Sequence, residues 1–405
     1  MRFIQSLKLA GLLSFPPDME PFELESLNVL IGPNGSGKSN FIEAFELLRA
    51  LPTDLAAALS KSGGVREWIW KGTASGLPAP CLDLTMHQVE RQGCAWNADA
   101  VSLRYRLHFG EVGDRFHIFE ESVAPLEASG DDGKPRFYLF HTRDKYGSPD
   151  IDVRDGLSDT DRRRLLQDIA SDRSVLAQLQ HPFYHPEITW MGRTFSQIQT
   201  FREWSFGPRS DMRRPQQTDL PNNPLLPDSG NLALVLNYIE QSGREWNRFN
   251  ELLKRFFPRF DRMTTRVSGG AVQLYLHETG FDTPIPATRI SDGTLRFIAM
   301  LAVLLSPEPP PLVCIEEPEL GLHPDAVALM GDVLEEASER MQLVVTTHSD
   351  ALVSELTNRP SAIVACERPG AGTMLRRLDP ERVAHWLDEY ALGDIWRMGA
   401  LGANP

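Results

Sequence analysis

The segment GPNGSGKS at residues 32–39 constrains this chain more than any other stretch. It fits the pattern G-x-x-x-x-G-K-[ST] at every position. An apolar run, LNVLI at 27–31, precedes it and stops abruptly at Gly32. After it, Lys38 to about Leu51 carries Phe41, Ile42, Phe45 and Leu48 at the spacing of one helix face. Strand, glycine-rich turn and helix together make a cradle for closely packed phosphates. Glycines let the backbone wrap the anion, so that N–H groups and the helix N-terminus point inward. The expected binding residues are Gly32, Pro33, Asn34, Gly35, Ser36, Gly37, Lys38, Ser39 and Asn40. Lys38 can reach the β- and γ-phosphates of a nucleoside triphosphate such as ATP, and Ser39 can ligate Mg2+ through its hydroxyl. A chance glycine-rich turn would lack both flanking elements.

A second segment, LVCIEEPELGLHPD at 312–325, drives an apolar strand into two carboxylates, Glu316 and Glu317. Neighbours on a strand face opposite sides, so the backbone has to turn at the strand end if both are to meet one nucleotide. Glu316 is expected on the metal side, acting through water, and Glu317 is expected to polarise the attacking water. The competing reading is a surface acidic cluster that includes Glu319. A third segment, RISDGTLRF at 289–297, places Ser291, Asp292 and Gly293 just before a helix. Ser291 suits an N-cap, and the plain reading is a helix start and nothing more. A fourth, VVTTHSD at 344–350, ends an apolar strand at His348. A strand-end histidine is more often structural, but this strand follows the carboxylate strand, so the ring could reach a γ-phosphate.

Around these motifs the fold class is α/β. Residues 1–31 read as two short strands, and 78–145 as antiparallel strands by their alternation. Residues 160–181 read as helix, 207–230 as a long loop rich in Pro, Asn, Asp and Arg, and 231–257 as helices. Two strands precede Ile290, and an αβαβ pattern follows it. The late strands are continuous apolar runs, as a sheet covered on both faces requires. The two ends of the chain, 1–77 and 285–405, therefore form one mixed-sheet core. The middle is an insertion, β-rich over 78–150 and helical or looped over 151–284.

Composition narrows the partners. With 41 Lys and Arg against 55 Asp and Glu, the net charge is -14, so nothing global attracts nucleic acid. Cys81, Cys94, Cys314 and Cys366 show no metal-type spacing, which fits a reduced, cytoplasmic protein. The longest apolar stretch, FIAMLAVLL at 297–305, is too short to span a bilayer. The N-terminal MRFIQSLKLAGLLSF has a signal-like apolar run but no small-residue cleavage site after it.

Taken together, the motifs resemble the ABC-type ATPase heads of the SMC, Rad50 and RecF class. Their order carries the likeness: phosphate loop, long insertion, S-D-G, carboxylate strand, histidine. More closely, the chain resembles the AAA_21 (OLD-like) predicted ATPases through GPNGSGKSNFIEAFELL, GGVREWIWKG, DSGNLALVL, SDGTLRFIAMLAVLLSPEPPPLVCIEEPELGLHPD and VVTTHSD. The resemblance implies Lys38 and Ser39 on phosphate and Mg2+, Glu316 as metal-side acid, Glu317 as general base and His348 as switch. It implies a homodimer of heads, with Ser291 and Gly293 facing the γ-phosphate of the partner's ATP. Two features depart from the class. Glu316 stands where an Asp is usual, and the Q-loop glutamine is not distinct, Gln178 and Gln180 being candidates. OLD-type nucleases carry a Toprim domain, for which residues 349–405 are too few, so a separate effector, a nuclease or a toxin, is expected. DNA is a candidate partner through Arg162–Arg164, the Arg209, Arg213, Arg214 loop, or Arg255, Arg259, Arg262 and Arg266. The competing functions are a nucleotide-gated scaffold with little turnover and, disfavoured by the insertion and the lack of an apolar span, a transporter ATPase.

Overall fold

The computed structural model describes residues 2–72, 79–87, 102–126, 139–143, 149–153, 169–204 and 206–403. The elements that build the site are β1 (Leu27–Ile31), α1 (Lys38–Ala50), β2 (Gln199–Phe201), α2 (Asp292–Leu304), β3 (Leu312–Glu316), α3 (Pro324–Ser338), β4 (Gln342–Thr346), β5 (Ile363–Glu367) and β6 (Met374–Arg377). They form a six-stranded sheet in the order β6-β5-β1-β4-β3-β2. All neighbours are parallel except β5 and β6, so the sheet is mixed.

Parallel strands need cover on both faces, and the side chains divide accordingly. Leu27, Val29, Ile31, Val313, Ile315, Leu343 and Val345 enter one hydrophobic core, with α2 and α3. Leu30, Leu312, Cys314, Val344 and Val364 enter the other, with α1. Helix α2 is buried from Leu295 to Leu304 on every side, because it lies between α3 and the helix Leu232–Glu240. Such all-round burial is what the apolar run Phe297–Leu304 predicts.

The second core continues into a seven-stranded antiparallel sheet. Its order is Phe22–Glu23, Ile4–Ala10, Cys81–Met86, Leu103–Val112, Arg115–Pro125, Leu139–Arg143, Pro149–Val153. The alternation in LRYRLHF sends Leu103, Tyr105, Leu107 and Phe109 inward. A smaller sheet joins the hairpin Phe260–Ser268 and Ala271–Glu278 to Gln216–Gln217 and Ile285–Pro286.

Three features differ from the sequence expectations. Residues 160–168 lie outside the described residues, and of the remaining expected helix only Val175–Gln178 is helical. The Gln178 amide bonds Ala170 N and O and Arg173 O, which curls this stretch into a loop. Second, β2 comes from the segment read as insertion, yet it pairs with β3 at the edge of the central sheet. Third, Ile4–Ala10, from the first core segment, pairs with Cys81–Met86 of the β-rich segment. Sheet membership therefore crosses the divisions drawn at 77/78 and 284/285.

Candidate active site

The phosphate loop runs from the carboxyl end of β1 into α1. Gly37 caps α1 at φ +106°, and no side chain caps it. A Cβ at Gly37 would sit 2.2 Å from Thr373 Oγ1, and one at Gly32 would sit 2.2 Å from the Cys366 carbonyl oxygen. These two glycines are required by close approach, because β5 and β6 close the cradle from below. Thr373 Oγ1 lies 2.8 Å from Ser36 O, and Cys366 Sγ lies 3.3 Å from the same oxygen. Pro33, Asn34, Gly35 and Ser39 are exposed, Asn40 is half-buried, and Ser36 Oγ is buried without a hydrogen-bond partner. Lys38 bends over its own loop, donating to Gly32 O at 2.7 Å and Pro33 O at 3.1 Å. Burial lowers its pKa, while Cys366, Glu317 and Glu316 act in the opposite direction.

Strands β1, β4 and β3 are neighbours, so their carboxyl ends stand in a row, which is where open α/β sheets bind ligands. Glu317 makes the turn that strand geometry demands: its φ is +47°. Its N–H donates to Thr346 O at 2.9 Å. Its carbonyl accepts from Leu320 N at 3.1 Å and from Arg296 Nη2 at 2.8 Å. A non-glycine residue held left-handed costs roughly 1–2 kcal/mol, and the surrounding bonds hold it there. Glu316 Oε1 lies 3.4 Å from Arg202 Nε, and Glu317 Oε1 lies 3.9 Å from His348 Nε2, too far for a hydrogen bond. Glu319 has another task. It accepts from Thr347 Oγ1 at 2.6 Å and from His348 N at 3.0 Å, fixing the turn that carries the histidine. Burial, then the Lys38 charge, lowers the His348 pKa, and Glu317 and Glu319 oppose this. Lys38 thus lies within electrostatic reach of Glu316, Glu317 and His348.

Ser291 caps α2, accepting from Thr294 N at 3.1 Å. Ser291 and Asp292 are exposed, while Gly293 abuts the loop after Glu317: a Cβ there would sit 2.9 Å from Gly321 O. Arg213, expected in a DNA patch, is buried instead. It donates to the carbonyls of Phe206, Ala287 and Ile290 and to the Asp292 carboxylate, so it sets the turn before α2. The other described candidates for DNA contact are mostly engaged. Arg214 pairs with Asp211, Arg255 with Asp332, Arg259 with Glu278 and Arg262 with Asp261, and Arg266 stacks on Tyr275. Arg209 is exposed, and Arg162–Arg164 lie outside the described residues.

Neither glutamine candidate reaches the site. Gln178 is tied to Ala170 and Arg173, and Gln180 donates to Pro52 O and Leu176 O. The carboxyl end of β2 instead presents Arg202 beside Glu316. Sequence reasoning missed this residue, since nothing in QTFRE marks a strand of the central sheet. It also gave no role to the cavity of about 560 Å3 lined by Ser14, Asn40, Glu43, Trp68, Trp70 and Arg368, among others. The aromatic cluster in REWIWKG was the available signal.

The residues fit a magnesium-bound nucleotide. The helix N-terminus is uncapped, Ser36 Oγ and Glu316 Oε1 are buried without hydrogen bonds, and a lysine folds over the loop. Among the described residues no cluster of three or more His, Cys, Asp or Glu side chains could hold a metal. Mg2+ asks for less, one or two protein oxygens beside phosphates and water, and Ser39 and Glu316 can supply those.

The fold is that of the SMC-type ATPase heads. The chain belongs to the AAA_21 family (AAA domain, putative AbiEii toxin, Type IV TA system), which matches residues 27–354. Nucleotide binding is what that membership implies. Among solved structures, the fold is similar to an SMC head bound to the C-winged helix domain of ScpA, with a TM-score of 0.53 and 15% identity over 94% of this chain and 99% of that one. It is also similar to the Smc head with an extended coiled coil, bound to the C-terminal domain of ScpA, derived from Pyrococcus furiosus, with a TM-score of 0.51 and 16% identity over 96% and 99%. A curated relative, the chromosome partition protein Smc of Coxiella burnetii (strain RSA 493 / Nine Mile phase I), is 30% identical over 92 residues. That match spans 22% of this chain and only 8% of the relative's length.

Proposed function

We propose that the chain binds ATP with Mg2+ and hydrolyses it while two heads close on each other, and that this cycle controls a separate effector, a nuclease or toxin, in a DNA-related process such as repair or anti-phage defence. The observation that carries the reading is the meeting of Lys38, Glu316, Glu317 and His348 at the carboxyl ends of three adjacent parallel strands, beside an uncapped helix N-terminus. The loop N–H groups and Lys38 hold the phosphates. Mg2+ between Ser39 and Glu316 would neutralise phosphate charge. Glu317 takes the proton of the attacking water, and neutral His348 donates a hydrogen bond toward the γ-phosphate. The turn Ser291–Gly293 serves the nucleotide of the second copy. The described residues contain no helix long and apolar enough to cross a membrane, and we place the cycle in the cytoplasm.

The test is a pair of variants in the full chain. Glu317→Gln should keep binding of a fluorescent ATP analogue and lose turnover by about 100-fold or more, the scale of a general base. Lys38→Ala should lose binding itself. Unchanged turnover in Glu317→Gln would remove the base, and unchanged binding in Lys38→Ala would remove the site. A second reading, a nucleotide-gated scaffold holding a toxin or nuclease, draws on the toxin–antitoxin description of the family. It is favoured if effector control survives Glu317→Gln but not Lys38→Ala.

A further inference from the structure

The carboxyl end of β2 carries Arg202, a charge that the proposed chemistry does not use although it faces Glu316. Arg202 is half-buried, with Nη1 3.3 Å from Glu46 Oε2 and Nε 3.4 Å from Glu316 Oε1. Thr200, on the same strand, donates from Oγ1 to Glu46 Oε1 at 3.2 Å, holding that carboxylate toward Arg202. Glu43, one turn earlier on α1, completes an acidic group. Burial raises its pKa, Glu46 and Glu316 add to the rise, and Arg202 opposes it. One guanidinium therefore offsets three carboxylates, two from the phosphate-loop helix and one from the carboxylate strand.

A guanidinium has five N–H donors, no lone pair and a permanent charge. Arg202 therefore cannot ligate a metal, and as a cation it competes with one for Glu316. Its contact with Glu316 is loose: Oε1 is within ion-pair distance but accepts no hydrogen bond among the described residues. The contact with Glu46 gives Arg202 a second anchor when Glu316 is taken.

We propose that Arg202 is a built-in counter-ion that occupies Glu316 in the nucleotide-free protein and yields it to the divalent cation that arrives with the triphosphate. Arg202 then retreats to Glu46, and its competition sets how much free Mg2+ nucleotide binding requires. This rests on the reading of Glu316 as the metal-side acid.

The experiment measures the free Mg2+ concentration that half-saturates binding of a fluorescent ATP analogue to the full chain. Arg202→Gln removes the competing charge and should lower that midpoint roughly two- to fivefold, the scale of a partly exposed ion pair. Arg202→Lys keeps the charge and should stay near the wild-type midpoint. Glu46→Gln removes the second anchor, leaves Arg202 to Glu316, and should raise the midpoint, which keeps the test alive if Arg202→Gln does not fold. Glu316→Gln should also raise it. No shift in Glu316→Gln would overturn the metal-side reading itself. A shift there, with Arg202→Gln unchanged or raised, or with Glu46→Gln lowered, would overturn the counter-ion alone.

Discussion

Two acidic sites in this molecule are built on opposite terms. Glu121, on Arg115–Pro125, is fully buried. It accepts from Tyr105 Oη at 2.7 Å, Ser174 Oγ at 2.5 Å and Val175 N at 2.8 Å. Those donors pin the short helix Val175–Gln178 to the antiparallel sheet, and nothing is left over for a ligand. Glu316 and Glu317 are half-buried, have an arginine at 3.4 Å and a histidine ring at 3.9 Å as their neighbours, and sit at a backbone turn with φ +47°. A buried carboxylate with every donor in place stabilises the fold. A pair with loose partners on a strained turn is kept for something that comes and goes.

The sharpest way to break this contrast is to remove each acid and watch stability. Glu121→Ala strands three buried donors, and since each unmet group costs about 1–3 kcal/mol, unfolding free energy should drop by roughly 3–5 kcal/mol. Chemical denaturation measures it, and a loss below about 1 kcal/mol would show that the donors find other partners. Glu317 should behave in the opposite sense. Glycine at this position relieves the left-handed strain, so Glu317→Gly should raise stability by about 1 kcal/mol while abolishing turnover. A destabilised Glu317→Gly would mean that the side chain, and not the backbone bonds from Arg296 and Leu320, holds the turn.

The same contrast explains what the sequence could show. The phosphate loop, the carboxylate pair and His348 are local patterns: an apolar run that must be a buried strand, followed at once by groups no buried strand would carry. The α/β class followed from Leu27–Ile31, Leu312–Ile315 and Leu343–Val345, which are apolar but for Asn28 because both faces are covered. Residues whose meaning depends on tertiary neighbours were not legible. Gln199–Phe201 is three residues long and becomes a strand only because Val313–Ile315 offers it an edge. Arg213 lies in a polar, proline-rich stretch and reads as surface charge, until two carbonyls of the distant 287–290 turn and that of nearby Phe206 converge on it. Gln178 resembles a ligand residue by type alone, and its amide is spent on its own loop.

The smallest effect probes how closely the loop and the histidine strand meet. Burial and the Lys38 charge disfavour the imidazolium of His348, so its folded pKa lies below the ordinary histidine value. For a histidine shifted this way the sign is fixed. The neutral ring's contribution to stability is complete above the unfolded pKa and is lost as pH falls through the folded one. An NMR titration of the His348 ring in the nucleotide-free protein reads the midpoint directly. Lys38→Ala removes a neighbouring cation and should move it up, whereas Glu317→Gln removes a neighbouring anion and should move it down. If neither substitution moves the midpoint, the ends of β1, β3 and β4 do not share one electrostatic site. The loose carboxylate pair would then be strained for some purpose other than a triphosphate.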